Sequence, residues 1–214
     1  MWLVTVSNES DFEWLATALS TENRPAFELI TTGSGGRVAR SLDAKPRFHM
    51  ALVSDDPLAT RNVLVWTHRE WHTRVFVSSG SVLSTGEGWD PLNPLIPRTG
   101  YRSAGRFDLD GGSPVLYEDI PFDGALQKQL ADLFLQNASL ERTGLFCATK
   151  PVTSSEARAW LGSRLTCQGV DAHTGEILLA GRHLGVSVAC LKALAGPTAR
   201  EVLLRCLRTL QRGR

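Results

Sequence analysis

The chain has 214 residues, 43% of them apolar and 21% charged, with 23 basic against 22 acidic side chains. That length supports a sizeable core without disulfides or metals to staple it. A net charge of +1 gives no global attraction to nucleic acid or anionic lipid, and no apolar run approaches the 18 residues of a membrane-crossing helix.

Trp2 to Val6 reads as a short strand. Ser10-Asp-Phe-Glu13 has the spacing of a capping box, and Phe12, Leu15, Ala16 and Leu19 follow on one helical face. Phe27 to Thr32 is a second strand. It runs into Gly33-Ser-Gly-Gly36, then Arg37 and a short helix over Val38–Leu42. Backbone N–H groups in such a turn can face an anion. Gly33, Gly35, Gly36, Arg37 and Arg40 are therefore candidate anion ligands. The Walker ending and the dinucleotide fingerprint are both absent, so a plain turn is the simpler reading.

Phe48 to Val53 is a third strand, stopped by Asp55-Asp-Pro57. Val63-Leu-Val65 and Arg74-Val-Phe-Val77 read as β and flank Trp66-Thr-His68-Arg-Glu70-Trp-His72. On one continuous strand His68, Glu70 and His72 would share a face, where two imidazoles and a carboxylate suit a divalent metal. His49, His173, His183, Asp55 and Asp56 are the candidates to complete the ligand set. Without metal, His68 or His72 could act as a general base. A solvated strand face or a hairpin tip is the simpler reading of the segment.

Prolines at 91, 94 and 97 favour extended geometry, so residues 87–101 mark a surface crossing and a seam within one 1–214 domain. Trp89 and Tyr101 bracket it and are candidate anchors for a partner protein. Asp110-Gly111 suits the turn of a hairpin between Arg106–Leu109 and Pro114–Phe122. Leu126, Leu130, Leu133 and Phe134 form a helical stripe, and Leu145–Ala148 is a strand. Thr153-Ser-Ser-Glu156 opens another helix. Glu176–Ala180 and Val186–Leu191 read as paired strands. A last helix from Pro197 buries Leu203, Cys206, Leu207 and Leu210. Its arginines at 200, 205, 208, 212 and 214 complement a helix C-terminus more simply than they bind nucleic acid.

Cys147, Cys167, Cys190 and Cys206 form no C-x-x-C pair. They suit free thiols in the cytoplasm, which is the expected location in the absence of a signal-peptide pattern. Cys147 beside Lys150 is a weak nucleophile candidate.

The composite expectation is an α+β protein, with a mainly antiparallel, β-rich middle and helices over one face. An α/β layer in the last third is the alternative for that region. No catalytic motif is complete, which favours a non-catalytic accessory or binding protein acting through a protein–protein surface. The competing reading is a small enzyme using His68, Glu70 and His72, with or without metal, on an anionic substrate.

Overall fold

The computed structural model describes residues 1–20, 26–86, 89–103, 117–134 and 144–212. In chain order the elements are β1 (Trp2–Val6), α1 (Glu9–Ala18), β2 (Phe27–Thr31), β3 (Arg37–Ser41), β4 (Phe48–Leu52), α2 (Pro57–Trp71), β5 (Val75–Ser84) and β6 (Thr99–Ser103). They continue with β7 (Tyr117–Pro121), α3 (Gly124–Phe134), β8 (Gly144–Cys147), α4 (Ser155–Leu165), β9 (Cys167–Asp171), α5 (Thr174–Leu184), β10 (Ser187–Leu194) and α6 (Ala199–Arg212).

The described strands form one sheet in the order β2-β3-β4-β1-β5-β9-β8-β6-β7, with β10 joined to β5. Its interior is parallel: β1 pairs with β4 and β5, β10 with β5, and β8 with β6 and β9. Antiparallel pairing joins β2 to β3, β3 to β4 and β6 to β7, and also occurs at two residue pairs where the end of β5 meets β9 and at a bridge between Leu95 and Lys192 of β10. Parallel neighbours need crossover helices, and those helices cover both faces. Accordingly β1 is buried on both sides. Val4 and Val6 pack with the cluster that includes Phe12, Leu203 and Leu207 of α1 and α6. Leu3 packs with Leu64 of α2 and Ile177 of α5. A third cluster joins α4 to β8 and β9 through Ala157, Leu161, Phe146 and Val170.

This is an α/β fold, and it corrects the expected antiparallel α+β arrangement. Two segments account for the difference. Residues 57–71 are helix, not strand. Asp56 caps it, its side chain accepting from the Leu58 N–H at 2.9 Å, and Pro57 occupies the first turn. Thr60, Val63, Leu64 and Thr67 are buried at helical spacing. The Asp-Asp-Pro that reads as a strand stop is a helix start. Residues 174–184 are likewise helix, with Thr174, Ile177, Leu178 and Gly181 buried and Gly185 closing the end at φ +65°. At Gly181 the backbone nearly touches β10: an added Cβ would lie 2.2 Å from Val188 Cγ2.

Smaller corrections follow the same logic. Val38–Leu42 is not a helix, since Arg37–Ser41 is the strand β3. Helix α1 begins two residues early, at Glu9, capped by Asn8. Of the expected Asp-Gly hairpin, residues 106–109 and the turn lie outside the described residues. Its second arm appears as β7, paired to β6. Among the described residues no helix is long and apolar enough to cross a membrane.

Candidate active site

The carboxyl ends of β4, β8 and β9 open towards one cleft. Ser54 and Asp55 follow β4, Cys147 ends β8 before Ala148 and Thr149, and Ala172 and His173 follow β9. Arg102 of β6 and Gly175 and Glu176 of α5 complete the walls, which enclose about 40 Å³. Carboxyl ends of strands, where the pairing order changes direction, are where open α/β sheets bind ligands.

Asp171 organises the floor. Its Oδ1 accepts the N–H groups of His173 and Thr174, each at 2.6 Å, and so caps α5. Its Oδ2 lies 2.7 Å from Lys192 Nζ, with the two side chains 2% and 1% exposed. Lys192 also donates to Ser79 O at 3.0 Å, tying β10, β9 and β5 together. Beside them the hydroxyls of Ser78 and Thr174 share a hydrogen bond of 2.8 Å. Burial favours the neutral acid, but Lys192, His173 and the hydrogen bonds outweigh it and hold the Asp171 carboxyl at about 2.

His173 stands on this floor. Its Nε2 lies 3.5 Å from Asp55 Oδ1. Its Nδ1 is buried and has no hydrogen-bond partner among the described residues. An imidazole facing a carboxylate is an arrangement suited to general acid–base chemistry. Glu176 receives Arg61 through Nε and Nη2, at 3.1 and 2.9 Å, and Arg102 Nη2 at 3.2 Å. Gly175 permits this approach, because a Cβ there would sit 3.3 Å from Arg102 Cγ and from Cys147 Cβ. Burial pushes the Cys147 thiol well up, so it is protonated and a poor nucleophile. All four cysteines are buried and free.

The residues singled out from sequence lie elsewhere. His68 and Glu70 lie in the last turn of α2 and His72 is its C-cap, so the three do not share the face of one strand. His68 Nδ1 is 2.9 Å from Thr73 O, and His72 takes the left-handed cap conformation at φ 51°. No group of three metal-ligating side chains occurs among the described residues. The glycine turn joins β2 to β3 and is closed by its own bonds, Thr32 N–H to Gly36 O at 2.7 Å and Gly36 N–H to Thr32 Oγ1 at 2.9 Å. Gly33 lies within that turn, and Gly35 adopts φ +81° there. Arg37 pairs with Glu9 and Glu13, and Arg40 with Glu28.

Trp89 donates Nε1–H to Asn93 O at 3.1 Å and lines a separate groove of about 340 Å³ with Thr85, Gly162 and Gln168. Tyr101 stacks edge-on against Tyr117, ring centroids 5.6 Å apart. Of the supplementary ligand candidates, His173 and Asp55 do meet, away from His68. Arg61, Arg102, Asp171, Glu176 and Lys192 carried no sequence signal of their own. The nearest to one was Asp171 at a strand end, two residues before a histidine.

No family model and no curated protein matches this sequence. Solved structures do match its fold. A mutant futalosine hydrolase of Helicobacter pylori is 13% identical, with a TM-score of 0.76 over 98% of this chain and 97% of that one. The 5'-methylthioadenosine/S-adenosyl homocysteine nucleosidase of the same organism is 14% identical, with a TM-score of 0.75 over 98% and 96%. The corresponding Neisseria meningitidis nucleosidase, in complex with methylthio-immucillin-A, is 19% identical, with a TM-score of 0.69 over 99% and 93%. At these identities the likeness establishes the fold: a mixed, largely parallel sheet with helices on both sides. These three structural neighbours are themselves enzymes, and that finding corrects the expectation of a non-catalytic accessory protein working through a protein–protein surface.

Proposed function

We propose that this chain is a nucleosidase, hydrolysing the bond between the base and the sugar of a nucleoside. The observation that carries the reading is the coextensive likeness to hydrolases of that kind, with 98% of this chain superposing on a futalosine hydrolase and on a methylthioadenosine nucleosidase. The cleft at the strand carboxyl ends supplies groups suited to the chemistry. Hydrolysis breaks the C1′–N bond, water delivers its oxygen to C1′, and the departing base takes a proton. His173, 3.5 Å from Asp55, is the group that moves the proton. Four buried free thiols suit a reducing cytoplasm.

The test is chromatographic detection of free base after incubation with 5'-methylthioadenosine, S-adenosylhomocysteine, adenosine and inosine. Release by the wild type, lowered roughly 10²–10⁴-fold in His173→Ala at an unchanged melting temperature, is the expected result. No release from any nucleoside, or full activity in the variant, would refute it.

A further inference from the structure

Two arginines from distant parts of the chain reach the same carboxylate beside the cleft. Arg61 comes from α2 and Arg102 from β6, and both bond Glu176 on the first turn of α5. Side-chain exposures of 43% and 23% leave both guanidiniums in contact with water, whereas Glu176 is 15% exposed. Two cations on one carboxylate leave a positive charge over at this point. The other acidic group that lines the cleft, Asp55, is 84% exposed and faces His173, while Asp171 beneath it is paired with Lys192. Asp55 lies largely in solvent, where its field is screened.

The bonding pattern leaves the fork geometry in reserve. Arg61 spends Nε and Nη2 on a single oxygen, Glu176 Oε2, and Arg102 spends Nη2 on Oε1. None of these three bonds uses Nη1 of either guanidinium. Glu176 also holds both long side chains in place before any ligand arrives, so the entropy of ordering them is not charged to binding. Planar forks held in this way are suited to carboxylate and phosphate oxygens.

Building on the nucleosidase reading, we propose that the substrate is a nucleoside bearing an anionic group, carboxylate or phosphate, and that Arg61 and Arg102 bind that group. The arginines then select among nucleosides, while His173, on the same cleft, carries the proton.

Calorimetry with the full chain tests this, using adenosine 5'-monophosphate against adenosine as the phosphate arm. S-adenosylhomocysteine against 5'-methylthioadenosine is the carboxylate arm. In at least one arm the wild type binds the anionic member about tenfold tighter, the worth of one charge-assisted hydrogen bond. The ratio falls towards one in Arg102→Met and in Arg61→Met, and is partly kept in Arg102→Lys. Each single variant leaves Glu176 one arginine, and circular dichroism confirms the fold. Equal affinities in both arms, or a preference that survives both methionine variants, would overturn the proposal. Affinity and base release are separate readouts, so the two readings fail separately. Base release with no anionic preference sinks only the arginine assignment. Anionic preference with no base release from any nucleoside sinks the nucleosidase reading and leaves the anion site standing.

Discussion

Replacing Lys192 with methionine keeps the length of the side chain and removes its charge. The wild-type ammonium lies 2.7 Å from Asp171 Oδ2 and 3.0 Å from Ser79 O, and the ion pair is all but sealed from water. Without it the Asp171 carboxylate stays buried, with only the two N–H groups at the start of α5 to solvate it. Removing one member of a buried pair costs about 3–5 kcal/mol. For a chain of this size each kcal/mol lowers the melting temperature by roughly 2–4 °C, so Lys192→Met should melt roughly 6–20 °C lower. Thermal and urea unfolding followed by circular dichroism read the effect. The double variant Asp171→Asn/Lys192→Met removes the stranded charge, and its side-chain amide oxygen still caps the helix, so it should regain much of the loss. A drop below about 1 kcal/mol in the single variant would refute the reasoning, given what buried pairs cost to break. So would a double variant no more stable than the single one. Acid titration adds a check with a definite sign. The Asp171 pKa is depressed, from 3.8 to about 2. Its contribution to stability is therefore complete above the unfolded value and is lost as pH falls through the folded one, between about 4 and 2. Lys192→Met should lack that step.

His49 makes a similar prediction at higher pH. Its Nδ1 accepts the Ser41 N–H at 3.0 Å, so the neutral ring is the one that fits, and burial, with Arg40 and the N-terminus, lowers its pKa to about 4. Its stabilisation is present above about pH 6.5 and fades as pH falls towards 4, a slope that His49→Gln should remove from the unfolding profile. NMR titration of the ring checks the value directly, and an ordinary midpoint near 6.5 would contradict it. Gly181→Ala drives a methyl into Val188 and the Val186 carbonyl, and should destabilise by about 1–3 kcal/mol in urea unfolding. His68→Ala loses the ring's contact with Thr73 O at the end of α2. It should cost about 1 kcal/mol of stability and leave base release unchanged; a loss of activity at unchanged stability would count against the placement of the site.

The elements legible in the sequence are those whose signals are local. The strand Trp2–Val6, the stripe Leu126, Leu130 and Leu133, and the final helix burying Leu203, Cys206, Leu207 and Leu210 all carry their periodicity within a dozen residues. Two further helices were equally available. Asp56-Pro57 with Thr60, Val63, Leu64 and Thr67 is a capped amphipathic pattern, and so is Thr174 to Gly185. β-branched residues at their buried positions favour strand by propensity, and packing between sheet and helix overrode that preference.

Local patterns define a globular chain of mixed elements, with no apolar run long enough to span a membrane and with cysteines in apolar positions. Pairing between distant segments sets the rest. A parallel ladder has no local signature, because its partners are set by helices packed on either face; β4 and β5 flank β1 without being adjacent to it in sequence. The site depends on the same non-local pairing. Asp55 and His173 are separated by more than a hundred residues, as are Arg61 and Glu176, and each pair meets because strands β4 and β9 and helices α2 and α5 bring their ends to one side of the sheet.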